Sequence, residues 1–354
     1  MNYTLEELRS IPIFFIVGKG RSGTTLLSTI LDSHPNVASA TESRFLLLVW
    51  QRYKNLNEWK PELAEELFDT VMQDYRVKFL WEFHKEALIS QLKQLPAETK
   101  VQDLIKVIYI YRNSSFQKGK IKFIVDKNPR YTLFIERLGQ IFQDGKFIRI
   151  IRDPRDNITS HVKFTRKKVG LLSNKWLEYN LHYDKCESKE KSRYITLKFE
   201  DLVIDKHTFF RKFEDFTGID SLAELEEKRL GFKEKFEEKF SESLKEQHQS
   251  SVKPLDPKKI GHYKVKLSEA QVRTIESVSF PYAERYGYVI DLPQRKVTIN
   301  EKLAYSLGYG FHRYGNTFLY NLPYKSIVWL RSFLIQNVFV NKKSKLDKVI
   351  KENA

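Results

Sequence analysis

Sulfur is scarce in this chain. Cys186 is its single cysteine, and there are two methionines among 354 residues. One thiol excludes a disulfide framework and a cysteine-rich zinc centre, and it fits a reducing compartment, so disulfide-dependent secretion is not expected. Long apolar runs are missing too. The longest, at residues 11–17, 45–50 and 327–340, are too short or too interrupted for the roughly 20 residues of a membrane-spanning helix. The opening MNYTLEELRS has neither the basic nor the apolar region of an export signal. A cytoplasmic protein, at most peripheral at a membrane, is therefore the expectation. Internal repeats and low-complexity tracts are absent, and 41% hydrophobic and 14% aromatic content is enough for a packed core, which excludes disorder. Acidic residues are the minority charge: 45 Asp and Glu face 61 Lys and Arg, leaving a formal +16. Such an excess suits nucleic acid, an anionic membrane or a polyanionic small molecule, and by itself selects none of them.

Short runs of Ile, Val and Phe alternate with helical patterns. Residues 12–17 (PIFFIV), 121–125 (IKFIV), 146–151 (KFIRII) and 194–199 (YITLKF) read as buried strands. Residues 24–33, 61–95 with one break, 129–142 and 157–166 read as helices. Strands separated by helices predict an α/β fold with a central parallel sheet flanked by helices. Ligands of such sheets bind beyond the carboxyl ends of the strands, here the loops after Val17, Val125 and Ile151. Farther along, residues 222–249 form a highly charged helical stretch, and residues 267–288 an amphipathic helix with Ser268 and Gln271 spaced as a capping box and a stop near Gly287. From residue 293 the composition turns basic and aromatic, which divides the chain into a main domain, 1–292, and a C-terminal extension, 293–354.

In PIFFIVGKGRSGTTLLSTILDSHP a strand, a glycine-rich loop and a helix follow one another. Gly18, Gly20 and Gly23 permit tight turns, and the N–H groups of residues 22–25 then point from a positive helix end toward a phosphate-like anion. An ordinary glycine-rich turn is the bland alternative. The spacing of Gly18 and Gly23 matches the nucleotide-triphosphatase P-loop, but Thr24 stands where that loop carries lysine, and the positive charge comes from Arg21 instead. A group other than a magnesium-bound triphosphate is implied.

RSGTT after a buried strand resembles the loop of the sulfotransferases that use 3′-phosphoadenosine 5′-phosphosulfate (PAPS). The resemblance continues in DSHPNV and ATESR, in IIRDPRDNITS at 150–160, in LKFEDL at 197–202 and in KKIGHY at 258–263. It covers most of residues 11–290 and is nearest the tyrosylprotein and bacterial branch. It implies the P-loop-like fold of that family, PAPS as sulfuryl donor, 3′-phosphoadenosine 5′-phosphate (PAP) as product, and no metal. It implies cofactor contacts from Gly20, Arg21, Ser22, Gly23, Thr24 and Thr25. A 3′-phosphate site at Arg152 and Ser160 is implied as well, with a nucleotide-closing loop carrying Ser251, Lys259 and Gly261. The serine register of that loop departs from the tyrosylprotein pattern, which leaves Ser251 the loosest match.

For the reaction, the resemblance implies Glu42 as general base and Arg21 and Lys127 as stabilisers of developing charge. Each has a plainer reading. Glu42 beside Arg44 makes an ordinary surface pair, Lys127 pairs with Asp126, and Arg152 pairs with Asp153 or Asp156 at a helix start. His34 reads as a helix end and His161 as a reserve base. Asp126, closing an apolar run, has the look of a Walker B aspartate, which keeps a P-loop kinase in play. A basic nucleic-acid-binding protein is the other alternative, although no nucleic-acid motif is found. Family membership admits carbohydrate, lipid, sterol-like and tyrosine hydroxyls, and without a sign of a secretory lumen a glycan or lipid acceptor is preferred, its cleft shaped by the aromatic-rich residues 45–107. Residues 293–354 hold 11 Lys and Arg against Glu301, Asp347 and Glu352, so 11 − 3 gives +8. Basic residues mixed with aromatics there suit either an anionic membrane surface or a helical cap on the domain.

Overall fold

A computed structural model describes residues 2–114, 116–162, 168–228 and 254–337. Five parallel strands form one sheet in the order β2-β3-β1-β4-β5. They are β1 (Ile13–Val17), β2 (Val37–Thr41), β3 (Phe123–Lys127), β4 (Lys146–Ile151) and β5 (Tyr194–Lys198). The helices, in chain order, are α1 (Leu5–Ser10), α2 (Thr24–Ser33), α3 (Phe45–Tyr53), α4 (Leu63–Met72), α5 (Tyr75–Leu80), α6 (Lys85–Gln94), α7 (Val101–Ile110), α8 (Ile135–Ile141), α9 (Pro154–Val162), α10 (Val169–Glu187), α11 (Phe199–Ile204), α12 (Lys206–Thr217), α13 (Leu222–Lys228), α14 (Glu269–Ala283), α15 (Ile299–Leu319) and α16 (Tyr324–Asn337).

Alternation along the strands explains the layers. Ile13, Phe15, Val17, Ile124 and Phe147 join one buried cluster with α3, α4, α6 and α7. Phe14, Ile16, Val125, Ile148 and Ile150 join a second with α2, α12 and α13. Both faces are dry, so the strands read as continuous apolar runs rather than alternating ones, as parallel sheets require. The chain from β1 runs to β2 on one side while β4 leads to β5 on the other. The rim between β1 and β4 is therefore the switch point where a ligand crevice opens.

The expected α/β sheet is present, with differences of detail. β2 went unread, because VASAT has small side chains and lacks the bulky β-branched run that marked the others. β3 lies two residues later than 121–125, so Lys127 ends the strand instead of following it. The helical stretch 61–95 contains two breaks. At the first, the Asp74 carboxylate caps α5 by accepting from the amides of Arg76 (3.0 Å) and Val77 (3.3 Å). The stretch 129–142 opens as a 3₁₀ turn, Pro129–Phe134, before α8. Helix α9 begins at Pro154 rather than residue 157, because proline is favoured in a first turn where its missing N–H costs nothing. The 267–288 reading is met by α14, whose Ser268–Gln271 capping box forms, and Gly287 follows at φ 74°. The charged stretch to residue 249 falls largely outside the described residues.

The extension is stitched to the domain. Tyr309, Tyr320 and Ile327 belong to the same buried cluster as Phe15 and Phe45. Arg137 donates to the Tyr320 carbonyl (2.7 Å) and Gln51 to that of Leu322 (2.7 Å).

Asp126 lies on the sheet face opposite the loop, with 1% of its surface exposed, and accepts from the Tyr109 hydroxyl. A Walker B role is thereby lost, since that aspartate must face the anion loop. Burial pushes its carboxyl up to about 7. Between the ordinary carboxylate value near about 4 and that pH, the folded chain holds a proton the unfolded chain has released. This group's contribution to stability thus falls as pH rises through the window and levels off above it. Asp126→Asn should remove that slope. Its stability relative to the parent should climb by up to about 4 kcal/mol between roughly pH 4 and pH 8. Parallel urea-melt profiles for the two proteins would contradict the assignment.

Candidate active site

Beyond Val17 the backbone turns at Gly18 (φ 107°), where an added Cβ would lie 3.3 Å from both Arg149 Cγ and the Ile150 carbonyl. Thr132 fixes the first half of the loop: its Oγ1 accepts from the Gly18 amide at 2.7 Å and lies 2.8 Å from the Pro129 carbonyl. Asn157 fixes the second half, its Nδ2 donating to the Gly20 carbonyl and Ser22 Oγ, both at 2.9 Å. Arg21 is left-handed (φ 72°), a conformation costing a non-glycine residue roughly 1–2 kcal/mol. Gly23 (φ 83°) is the N-cap of α2 and gives no side-chain cap to the first turn. Its hypothetical Cβ would fall 2.5 Å from the Phe199 ring. Ser22 and Thr24 are buried, so the loop offers backbone N–H groups at the positive end of α2. Thr24, where a triphosphate-binding lysine would stand, supplies no charge.

Arg152, directly after β4, is 8% exposed. It donates to the carbonyls of Arg21 (3.2 Å) and Lys259 (2.8 Å), and its guanidinium lies 4.4 Å from the centre of the Phe199 ring. Its buried Nε makes no hydrogen bond to the protein. Pairing with Asp153 is not found. That carboxylate holds Arg155 (2.7 Å), while Asp156 accepts from the amides of Gly261 (2.8 Å) and Tyr263 (2.9 Å). The Lys259–Gly261 segment thus reaches the arginine as expected. Ser160 arrives at the same edge, but its Oγ accepts from Arg21 Nε at 3.0 Å, so Arg21 links the loop after β1 to α9. Ser251 lies outside the described residues.

Glu42 follows β2, its amide donating to the Lys127 carbonyl at 2.9 Å. Lys127 Nζ reaches Glu42 Oε1 at 2.9 Å and Thr25 Oγ1 at 3.3 Å, while Arg76 Nη1 reaches Glu42 Oε2 at 3.1 Å. The lysine is 1% exposed and points to the loop because its neighbour Asp126 occupies the opposite face. Both simpler pairings are replaced. Lys127 turns from Asp126 to Glu42, and the Arg44 guanidinium sits 5.7 Å from the Tyr320 ring centre.

Several participants were not anticipated. Arg76 comes from the first break in the 61–95 stretch, where the cap Asp74 was the readable sign. Thr132, Asn157, Phe199, Arg44 and Arg130 were also missed, although Asn157 and Phe199 stand inside the quoted RDPRDN and KFEDL segments. Desolvation, then repulsion from Arg44 and Arg76, lowers the proton affinity of Arg130. The cleft beside Glu42 is therefore cationic. Of the aromatic-rich residues 45–107, Phe45, Trp59 and Trp81 are core, and Tyr75, partly buried like Trp50, Phe68 and Phe83, lies beside Arg76 (OH to Nε, 3.0 Å). His34 caps the end of α2, as expected. His161 lies against Lys19, 3.0 Å from the Gly20 carbonyl. Burial and the charges of Lys19 and Arg21 push it well below the usual histidine range, which makes it a weak base. Among the described residues, the group of side chains able to share a metal ion, Glu136, His182 and Cys186, lies on α8 and α10 and contains no residue of this cleft.

The sulfotransferase family pattern matches residues 12–224, a span holding the loop, Glu42, Lys127, Arg152 and Phe199. The chain belongs to the sulfotransferase family. Protein-tyrosine sulfotransferase A of Caenorhabditis elegans is 24% identical over 220 residues, covering 60% of this chain and 51% of that protein. Protein-tyrosine sulfotransferase 2 of Gallus gallus is 23% identical over 221 residues, 60% and 52% of the two chains. The chain thus spans about half the length of these relatives. Among solved structures, the sulfotransferase domain of the Synechococcus PCC 7002 olefin synthase has a TM-score of 0.47 at 20% identity, covering 80% of this chain and 96% of that one.

The last two glycines of the GKGRSG loop, Gly20 and Gly23, have unlike neighbours. Gly23→Ala must displace Phe199 and hold a left-handed alanine, so it should cost more than about 1 kcal/mol in a urea melt. Gly20→Ala meets only Pro129 Cβ, at 3.9 Å, and should stay within about 1 kcal/mol of the parent. Equal losses would contradict the loop geometry.

Proposed function

We propose that this protein transfers the sulfuryl group of PAPS to an acceptor hydroxyl. The observation that carries the reading is the buried Lys127, which donates at 2.9 Å to Glu42 and at 3.3 Å to Thr25 of the anion loop. A carboxylate able to take a proton and a loop shaped for a phosphate-like group are thereby joined through one ammonium. The fit of the nucleotide rests on the unpartnered Nε of Arg152 and on the glycine cradle, where a Cβ at Gly23 would strike Phe199. The loop amides with Thr24 and Thr25 would hold the 5′ end of the donor, and Arg152 with Ser160 and the Lys259–Gly261 segment its 3′-phosphate. PAPS, when bound, supplies an activated sulfuryl group and a phosphate leaving group.

Glu42 accepts the acceptor proton at a carboxylate oxygen. Its two oxygens are gripped by Lys127 and Arg76, so the carboxylate is oriented before the acceptor arrives, which saves the entropy of positioning it. Arg21 and Lys127 hold positive charge on the donor side, where it favours a transition state richer in negative charge. The sulfuryl group bears less charge than a phosphoryl group, and Thr24 in place of the P-loop lysine accords with a metal-independent reaction.

The acceptor favoured here is a hydroxyl of a carbohydrate, lipid or sterol-like molecule. A tyrosine phenol is the second reading, supported by the names of the relatives and by the cations Arg44, Arg76 and Arg130 beside Glu42, which suit an acceptor bearing negative charge. Incubation with labelled PAPS and a panel of glycans, lipids and tyrosine peptides in EDTA should yield one sulfated class, identified by mass spectrometry. Binding of ATP in preference to PAP would overturn the reading in favour of a kinase.

Two variants test the assignments within it. Glu42→Gln should lose about 10²–10⁴-fold in turnover while retaining PAP affinity. Arg152→Ala should weaken PAP binding by about 100-fold, as expected for a lost charge-assisted phosphate contact. Near-normal turnover in the first, or unchanged PAP affinity in the second, would refute the corresponding role.

A further inference from the structure

Helix α15 carries six large apolar side chains in solvent: Ile299 (83% exposed), Leu303 (58%), Leu307 (54%), Phe311 (81%), Tyr314 (71%) and Phe318 (62%). At 100° per residue they fall within an arc of about 120°. The other residues within that arc, Asn300, Gly310 and Thr317, are uncharged. The orientation is fixed from behind. Tyr309 and Tyr320 are buried, Asn174 Nδ2 donates to the Tyr305 carbonyl (3.2 Å), and the Tyr179 hydroxyl meets His312 Nε2 (3.0 Å). The stripe cannot roll inward without breaking those contacts. An apolar face of this length is unusual on a soluble surface.

We propose that this face docks the protein on an anionic lipid surface, α15 lying flat with its apolar side chains among the acyl chains. Charge selects this occupant. Lys302 and Arg313 flank the stripe, and the last 62 residues carry 11 basic against 3 acidic side chains. A second copy meeting this face would bring one net-positive stretch, +5 over residues 293–337 (six Lys and Arg against Glu301), against another, whereas anionic headgroups neutralise it. Composition agrees: Phe311, Tyr314, Phe318 and the exposed Trp329 of α16 are residues that settle at a water–lipid boundary. Among the described residues no helix is long and apolar enough to cross a membrane, so the helix lies on the surface.

Docking would also set the height of the cleft. Tyr320, at the end of α15, lies beneath the Arg44 guanidinium, two residues from Glu42. A membrane held by the stripe is then fixed relative to the candidate active site, which favours an acceptor hydroxyl borne by a lipid. Only this last point rests on the proposed activity; docking itself does not.

The test uses the full chain with vesicles of phosphatidylcholine alone, and with a quarter of the lipid replaced by phosphatidylglycerol. Flotation should recover the protein with the anionic vesicles and less of it as salt is raised. Leu303→Glu/Phe311→Glu, both at exposed positions, should lower that recovery by at least about tenfold. PAP affinity and melting temperature should stay at parental values, which separates loss of docking from loss of fold or of the cofactor site. Failure of the parent to float, or equal flotation of the double variant, would overturn the proposal. A parental dimer in light scattering that the double variant dissociates would also overturn it, by assigning the face to a second copy.

Discussion

The Phe199 ring is the contact on which the site depends. One side of it lies where a side chain on Gly23 would stand, and the Arg152 guanidinium lies 4.4 Å from its centre. The loop after β1 and the arginine after β4 come from strands that are neighbours in the sheet but far apart in sequence. A single aromatic ring at the start of α11 sets the spacing between them. Around it the polar contacts close a circuit: Arg152 to the Arg21 carbonyl, Arg21 to Ser160, and Asn157 to Gly20 and Ser22. Glu200, next in sequence, accepts from the Asp153 amide (2.9 Å) and the Tyr288 hydroxyl (2.9 Å). It thereby ties the turn after β4 to the segment beyond α14. The loop after β1 and Arg152 are thereby held at a fixed distance from each other.

Positive charge is distributed by burial. Arg149, with no exposed surface, is satisfied by Asp184, Thr196 and Tyr282 and clamps β4, β5, α10 and α14 together. Arg155 does the same between Asp153 and Glu276. These cations are structural, because their donors are used up. Arg152 differs in having a buried nitrogen without a protein partner. Near Glu42, Arg130 is repelled by Arg44 and Arg76, whereas those two are held charged by Asp74 and Tyr75 and, for Arg76, by Glu42. The net +16 therefore divides into cations that hold the fold, cations that face the cleft, and the basic C-terminal stretch.

Much of this was legible from the chain alone, for identifiable reasons. Four of the five strands announced themselves because a parallel sheet buried on both faces needs unbroken runs of Ile, Val and Phe. The loop was legible because its glycines, arginine and hydroxyls are contiguous. Glu42, Lys127 and Arg152 were named because each sits in a short motif, even though their partners were open. What escaped was small or distant. β2 is built of Val, Ala, Ser and Thr, whose strand character comes from pairing with β3. Thr132 and Arg76 act on residues 114 and 34 positions away, and no local pattern marks them.

The sequence by itself determined the α/β class, the phosphate-like loop, the substitution of Thr24 for a P-loop lysine and the concentration of basic and aromatic residues near the C-terminus. Those are properties of adjacent residues, and local sterics and charge suffice to read them. Tertiary structure decided which of two partners each charged group takes. Lys127 faces Glu42 and not Asp126 because neighbours on a strand point to opposite faces. Asp153 holds Arg155, leaving Arg152 beside the loop, because α9 starts at Pro154. The apolar residues of α15 remain in solvent because Tyr309 and Tyr320 already anchor the opposite side. Pairing is settled by which side chains the packed core brings within reach, and that depends on the whole chain.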